Sequence, residues 1–333
     1  MKHLLVIRLS ALGDAAILAP VLRRLTDTGH TLPQITVAAP PRLEALFNDI
    51  PGVRFLGVEK RQSAMRLFRT FRAVEADAVA DMHHVGRVDR ALALLRLDAL
   101  LHFRPLAIRH IRKGRLSRCL FLHHIDTRPR RSQADRYADV LRRLGIPFPE
   151  GCLQQPVRIA ERQQNPATLG FAPFAQHKGK IWPQEYSEQL IRMLSESGYR
   201  VLLFGSRDEA PLLDSWATQH SGVTSLAGRH TFAEELDIIR SLTLMVSMDS
   251  ANMHFASAVG TPVVSIWGAT HPDFGFYGYG QDRANALCAN LPCQPCSAFG
   301  QRPCRHGDYR CLRAIKPETV FQKIIQWPVT SDH

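Results

Sequence analysis

Leu244 to Pro272 reads LMVSMDSANMHFASAVGTPVVSIWGATHP. An apolar run from Leu244 to Met248 leads into Asp249 and a loop of small residues. A helical pattern follows from Asn252 to Val259, then Gly260, then a second β-rich run from Pro262 to Trp267. Strand, short loop, helix, glycine stop and strand is the signature of a βαβ unit in a parallel sheet. A small-residue loop that opens a helix presents free backbone N–H groups and a positive dipole end, which together suit a diphosphate. His254 lies one turn into that helix and, taken alone, reads equally well as a buried core histidine.

The same alternation extends outward in both directions. In the second half, strands are expected at Thr168 to Phe174, Arg200 to Gly205 and Val223 to Ala227, with helices at Pro183 to Ser197, Asp208 to Gln219 and Phe232 to Ser241. Pro183 suits a first helical turn and Gly198 a helix stop. In the first half, strands are expected at His3 to Leu9, Ile35 to Ala39, Val53 to Val58, Ala78 to His83 and Leu101 to Ile108. Helices are expected at Arg61 to Val74, Val88 to Leu97 and Ser132 to Leu144, the last ended by Gly145 and Pro147. Residues 146–167, rich in Pro and Gln, read as a linker. With 333 residues and 45% hydrophobic content, two α/β domains are a better expectation than one large core. Ligand crevices in such domains lie at the carboxyl ends of the strands.

The net charge of +12 is unevenly divided. Residues 1–150 hold 26 Lys and Arg against 14 Asp and Glu, and residues 151–333 hold 16 against 16. All of the excess is in the first half, which suggests that one domain meets a polyanion. No stretch approaches the roughly 20 apolar residues that cross a bilayer. Met1 to Leu9, interrupted by Arg8, reads as a strand rather than a secretory signal, so a cytoplasmic location is expected.

After the first strand comes Ser10-Ala11-Leu12-Gly13-Asp14, then an apolar helix through Leu25 that contains Pro20. Gly13 permits a tight turn, and Asp14 then stands at the crevice mouth as the helix begins. An acid that merely complements the helix dipole would look the same. The absence of G-x-G-x-x-G here counts against a nicotinamide enzyme, and no cofactor is expected.

Four stretches in order now carry a resemblance: S-x-L-G-D at Ser10 to Asp14, Lys180-Ile181-Trp182-Pro183, Phe204-Gly205-Ser206-Arg207-Asp208-Glu209, and the D-S-x-x-M-H-x-A-x-A-x-G-T-P string from Asp249. In these the chain resembles glycosyltransferase family 9, the ADP-heptose:lipopolysaccharide heptosyltransferases. The resemblance implies a GT-B fold, two facing Rossmann-like α/β domains with a crevice between them. Residues 1–150 would bind the acceptor and residues 151–333 the nucleotide-sugar donor. It implies an inverting, metal-independent enzyme that moves a heptose or related sugar from an ADP-sugar to the lipopolysaccharide core or a similar anionic glycolipid. Asp14 would be the catalytic base and Lys180 the cation on the donor diphosphate. Glu209 would hold the ribose hydroxyls, and Asp249, Ser250, Ala251, Met253 and His254 would form the donor loop. The family commonly has Gly where this chain has Ala251, which bears on how closely the backbone approaches the phosphate.

The basic excess then finds a partner. Arg104, Arg109, Arg112, Lys113, Arg115, Arg118, Arg128, Arg130 and Arg131 fall within one stretch. Arg112, Lys113 and Arg115 are the expected acceptor contacts, on a surface that would also meet the anionic inner face of the cytoplasmic membrane. A solvated charged face is the plainer account of such a run. Cys293, Cys296, Cys304 and Cys311 read C-x2-C-x7-C-x6-C, a weak zinc pattern because a second close pair is missing; packed thiols are the alternative. Two other function classes compete: a basic nucleic-acid-binding protein, which lacks a recognition motif and leaves the donor loop unexplained, and a sugar-nucleotide epimerase of similar architecture.

Overall fold

The computed structural model describes residues 1–148 and 167–327. The expected linker, residues 146–167, lies outside them except at its two ends. The chain divides into two compact units, one of residues 1–114 with 131–148, the other of residues 115–130 with 167–327.

The first unit is a parallel sheet of β1 (His3–Ile7), β2 (Gln34–Ala39), β3 (Val53–Gly57), β4 (Ala78–Asp81) and β5 (Ala107–His110), in the order β3-β2-β1-β4-β5. Its crossovers include α1 (Leu12–Thr26), α2 (Ala64–Arg72) and α3 (Gly86–Leu101). Leu4, Leu5, Val6 and Ile7 are wholly buried, as a central parallel strand covered on both faces requires. The chain lays β1, β2 and β3 in one direction, then returns to place β4 beside β1. That reversal is the topological switch point, where the loops part to admit a ligand.

The segment Arg115–Arg130, which includes α4 (Arg115–Leu122), belongs to the second unit. This departs from a simple division at residue 150. Phe121 packs edge-on against Phe274 at 4.9 Å between ring centroids, and the Arg130 N–H donates to the Asp273 carbonyl at 2.8 Å. Aromatic burial against residues far along the chain outweighs sequence proximity here. The chain then rejoins the first unit in α5 (Gln133–Arg143), whose start is closed by a capping box between Ser132 and Asp135.

The second unit is a parallel sheet of β6 (Thr168–Ala172), β7 (Arg200–Leu203), β8 (Val223–Ser225), β9 (Leu244–Met248), β10 (Val263–Trp267) and β11 (Ala286–Cys288), ordered β11-β10-β9-β6-β7-β8. Its switch point lies between β6 and β9. Around it pack α6 (Gln184–Glu196), α7 (Ala210–Gln219), α8 (Phe232–Ser241) and α9 (Ala251–Ala258), and later α10 (Arg310–Arg313) and α11 (Pro317–Ile325). The buried Trp182 ties this end together by donating its indole N–H to the Ile315 carbonyl at 2.9 Å.

The strand expected at Leu101 to Ile108 is corrected. α3 continues through Leu101, and β5 begins only at Ala107. Pro105 cannot donate to a sheet ladder, so the strand forms beyond it. β11, α4, α10 and α11 had no expectation attached to them.

Candidate functional site

In the first unit, the loop after β1 and the start of α1 converge with the loop after β4. Asp14, in the first turn of α1, forms an ion pair through Oδ2 with Arg8. Arg8 is buried, and its guanidinium also donates to the Met82 carbonyl. Burial disfavours that charge, but Tyr137 and Asp14 beside it raise its pKa on balance. The Tyr137 hydroxyl donates to the backbone carbonyl of Asp14 at 2.8 Å, holding the helix start in place. Asp14 Oδ1 has no hydrogen-bond partner among the described residues. Beside the pair, the Ser10 hydroxyl and His83 Nε2 are 2.8 Å apart. Burial, reinforced by the Arg8 charge, pushes the His83 pKa down to about 4, so its imidazole is neutral at pH 7. Only Asp14 in this group was singled out from sequence. Arg8, His83 and Tyr137 carry no local signal, because their partners lie on other strands and helices.

In the second unit, Lys180 ends a single turn of 3₁₀ helix, Lys178–Lys180, and its ammonium lies 2.8 Å from Asp249 Oδ2 at the end of β9. Asp249 is buried, and the Thr270 hydroxyl donates to the same oxygen at 2.7 Å. The structure thus joins two residues that sequence reading had given separate roles. Their register is enforced by close backbone packing. The Ala269 N–H donates to the Gly179 carbonyl at 2.7 Å. A Cβ on Gly268 would fall 2.4 Å from that same carbonyl, and one on Gly300 would fall 2.7 Å from Lys180 Cγ. Gly300 also has φ near +80°, where a side chain is strained. The loop carrying Gly300 is held by Ser297, which accepts from the Gly300 N–H at 2.9 Å. It is held also by the buried Gln294, whose amide donates to the Trp267 and Gly268 carbonyls at 3.1 and 2.6 Å. None of this packing was read from sequence.

Ser250 is the N-cap residue of α9 but its side chain makes no capping hydrogen bond; instead its hydroxyl lies 3.2 Å from that of Ser247. The first N–H groups of α9, beginning with Ala251, are therefore left uncapped by a side chain. Met253 is wholly buried and His254 nearly so, so what Met253 can offer a ligand is its backbone N–H. Glu209 closes a capping box with Ser206, accepting from the Ser206 N–H through Oε2 at 2.6 Å.

The basic stretch is partly spent within the protein. Arg104 pairs with Asp98, Arg128 and Arg130 pair with Asp126, and Arg118 stacks over Phe276. Lys113 donates to the His84 carbonyl at 2.6 Å. Arg112 and Arg115 are exposed, and no ion pair holds them among the described residues. Lys113 and Arg112 lie in the first unit and Arg115 in the second.

The late cysteines are free thiols. Among the described residues, no three of their sulfurs converge to within 4.8 Å, the spacing at which ligand atoms can share an ion. Burial pushes the Cys311 thiol up to about 12, which keeps it protonated.

The two units are doubly wound parallel sheets of the α/β class, one with a carboxylate and the other with a cation beside a helix start at its switch point. The glycosyltransferase family 9 (heptosyltransferase) profile matches residues 113–306. The chain belongs to that family. It is 33% identical over 112 residues to lipooligosaccharide heptosyltransferase 2 of Haemophilus influenzae, a match covering 32% of each chain; it thus spans about a third of that relative's length. Among solved structures it is similar to a glycosyl transferase family 9 protein from Veillonella parvula, with a TM-score of 0.74, 18% identity and coverage of 99% and 98% of the two chains. The ADP-heptose lps heptosyltransferase II of E. coli superposes with a TM-score of 0.67 and 21% identity over 98% of both chains. The fold is similar to that of these two solved structures.

Proposed function

We propose that this chain is an inverting glycosyltransferase that moves a heptose from ADP-heptose to the lipopolysaccharide core or a similar anionic glycolipid. The observation that carries this reading is the Lys180–Asp249 pair beside the uncapped start of α9, within the segment that matches the family. Breaking a sugar–phosphate bond builds negative charge on the leaving diphosphate. A positioned ammonium and helix N–H groups stabilise that charge without a metal ion. In this reading Ser250, Ala251, Met253 and His254 line the donor site, with Glu209 at the ribose. Asp14 takes the proton of the acceptor hydroxyl through its unengaged oxygen as the hydroxyl attacks the far face of the anomeric carbon, which inverts it. Neither nucleic-acid binding nor epimerisation accounts for the family match.

The acceptor is anchored in lipid, and the reading extends to peripheral contact with the inner face of the cytoplasmic membrane. No described helix is long and apolar enough to cross a membrane. The end of α3, however, leaves Leu97, Leu100, Leu101 and Phe103 exposed, Phe103 at 95%, close in sequence to the exposed Arg96. Apolar tips beside cations suit an anionic bilayer surface. In the same reading Arg112, Lys113 and Arg115 meet the anionic groups of the acceptor.

The test is transfer from ADP-heptose to a heptose-deficient lipopolysaccharide, with the product's anomeric configuration read by NMR. Transfer with inversion is expected. Turnover of the donor without any acceptor, or binding of ADP with no transfer, would overturn the reading. On the membrane side, Phe103→Ser and the pair Arg112→Glu, Arg115→Glu should each reduce sedimentation with anionic vesicles in a salt-dependent manner, since surface charges are screened over about 8 Å at physiological ionic strength. Unchanged sedimentation would confine the basic run to solvation.

A further inference from the structure

The carboxyl ends of β4 and β5 hold a second cluster, made of residues that the proposed transfer does not use. One ligand atom from each of His84, Asp89 and His110 lies within 4.8 Å of the other two. The two imidazoles are 4.9 Å apart between ring centroids. Asp89 projects from the first turn of α3. Its Oδ1 is shielded from solvent and has no hydrogen-bond partner, although it lies 3.9 Å from His110 Nδ1.

Behind these three stands Asp81, wholly buried at the end of β4. Its Oδ2 accepts from His110 Nδ1 at 2.8 Å. Its Oδ1 accepts the backbone N–H groups of His83 and His84 at 2.9 and 2.8 Å. Those bonds hold the turn in which His84 adopts φ near +47°, a conformation uncommon outside glycine. His84 Nδ1 in turn donates to the Ile111 carbonyl at 3.2 Å. With both Nδ1 positions engaged as donors, each ring keeps its lone pair on Nε2. A carboxylate or carbonyl behind each ring is the arrangement that fixes the tautomer and aim of metal-binding histidines. One buried carboxylate therefore positions two of the three ligands.

We propose that His84, Asp89 and His110 bind one divalent first-row transition cation, with Asp81 as the positioning residue behind them. Two imidazoles and one carboxylate suit zinc, cobalt or ferrous iron rather than magnesium or calcium, and three protein ligands leave further positions open to water. The site is distinct in residues from the donor pair, so its binding is tested without donor or acceptor and stands apart from the transfer reading.

The experiment is titration of the chelator-stripped full chain with Co²⁺ and Zn²⁺, followed by calorimetry and, for cobalt, by visible absorption. One equivalent should bind with the weak absorption bands of nitrogen and oxygen ligands and no sulfur charge-transfer band. Affinity should fall by more than about tenfold in His84→Asn, Asp89→Asn and His110→Asn. It should survive in a Cys293→Ser, Cys296→Ser double variant. Asn tolerates the left-handed turn at position 84, so His84→Asn carries the test even where His110→Asn fails to fold. No binding by the wild type, binding kept in His84→Asn and Asp89→Asn, or binding lost only with the cysteines would each overturn the proposal. In those cases His110 is simply a hydrogen-bonded neighbour of Asp81.

Discussion

Each unit holds an ion pair at its switch point, and these two pairs are built with opposite polarity. In the first, the cation is the buried partner: the Arg8 side chain is 9% exposed and that of Asp14 21%. In the second, the carboxylate is the buried partner: the Asp249 side chain is 8% exposed and that of Lys180 16%. One site presents an anion on a buried cationic support, and the other presents a cation on a buried anionic support. A carboxylate turned outward suits taking a proton from a hydroxyl, and an ammonium turned outward suits a leaving diphosphate. In the proposed transfer, the order in which charges are stacked would give each unit a different task.

The contrast breaks most visibly at Asp14. Asp14→Asn keeps the size and the hydrogen bond from Arg8 but cannot accept a proton, so transfer should fall by about 10² to 10⁴. ADP affinity should stay as it was, because the proposed donor groups lie in the other unit. Transfer rate and ADP binding measured side by side check this; near-normal transfer would reduce Asp14 to a helix-dipole acid.

Lys180→Ala should act on the opposite quantity. Losing a charge-assisted contact to the diphosphate costs about 1.5–3 kcal/mol, so calorimetry should show ADP affinity falling by roughly ten- to a hundredfold. Chelator should leave wild-type ADP affinity unchanged, since in the proposed reading the ammonium and helix N–H groups carry the charge. An obligatory need for magnesium or manganese in ADP binding would remove that role from Lys180.

Gly300→Ala probes the packing that aims the ammonium. The added methyl meets the Lys180 stem at 2.7 Å and sits at a positive φ, with a stability cost of about 1–3 kcal/mol expected on thermal unfolding. ADP affinity should weaken alongside, whereas equal ADP affinity would show that the stem adjusts freely.

The smallest effect is expected from Thr270→Val, which removes one hydrogen bond to buried Asp249 and keeps the volume. A loss of about 1 kcal/mol in stability, with Lys180 still paired, would sharpen the view that Asp249 is a support rather than a ligand-binding group. A change in ADP affinity as large as that of Lys180→Ala would instead put Asp249 on the ligand.

Sequence alone determined what depends on neighbours along the chain. The alternation of apolar runs and helical periodicity gave both parallel sheets, and most strands lie within a few residues of expectation, as β9 at Leu244–Met248 does. The helix start that carries Asp14 and the small-residue start of α9 were legible because a helix start is a local event with local residue requirements, although Gly13 lies within α1 rather than in a turn before it. Tertiary structure decided the rest. Arg8 and Asp14 are close in sequence, yet their orientation depends on Met82 and Tyr137, and Lys180 meets Asp249 only because β6 and β9 become neighbours in the sheet. Likewise Asp81 reaches His110 through the pairing of β4 with β5, and Arg115–Arg130 joins the second unit through Phe121 and Phe274. Pairing between distant segments is fixed by strand order and core packing, which no window of sequence contains, and it is this pairing that sets which charge is buried and which is presented.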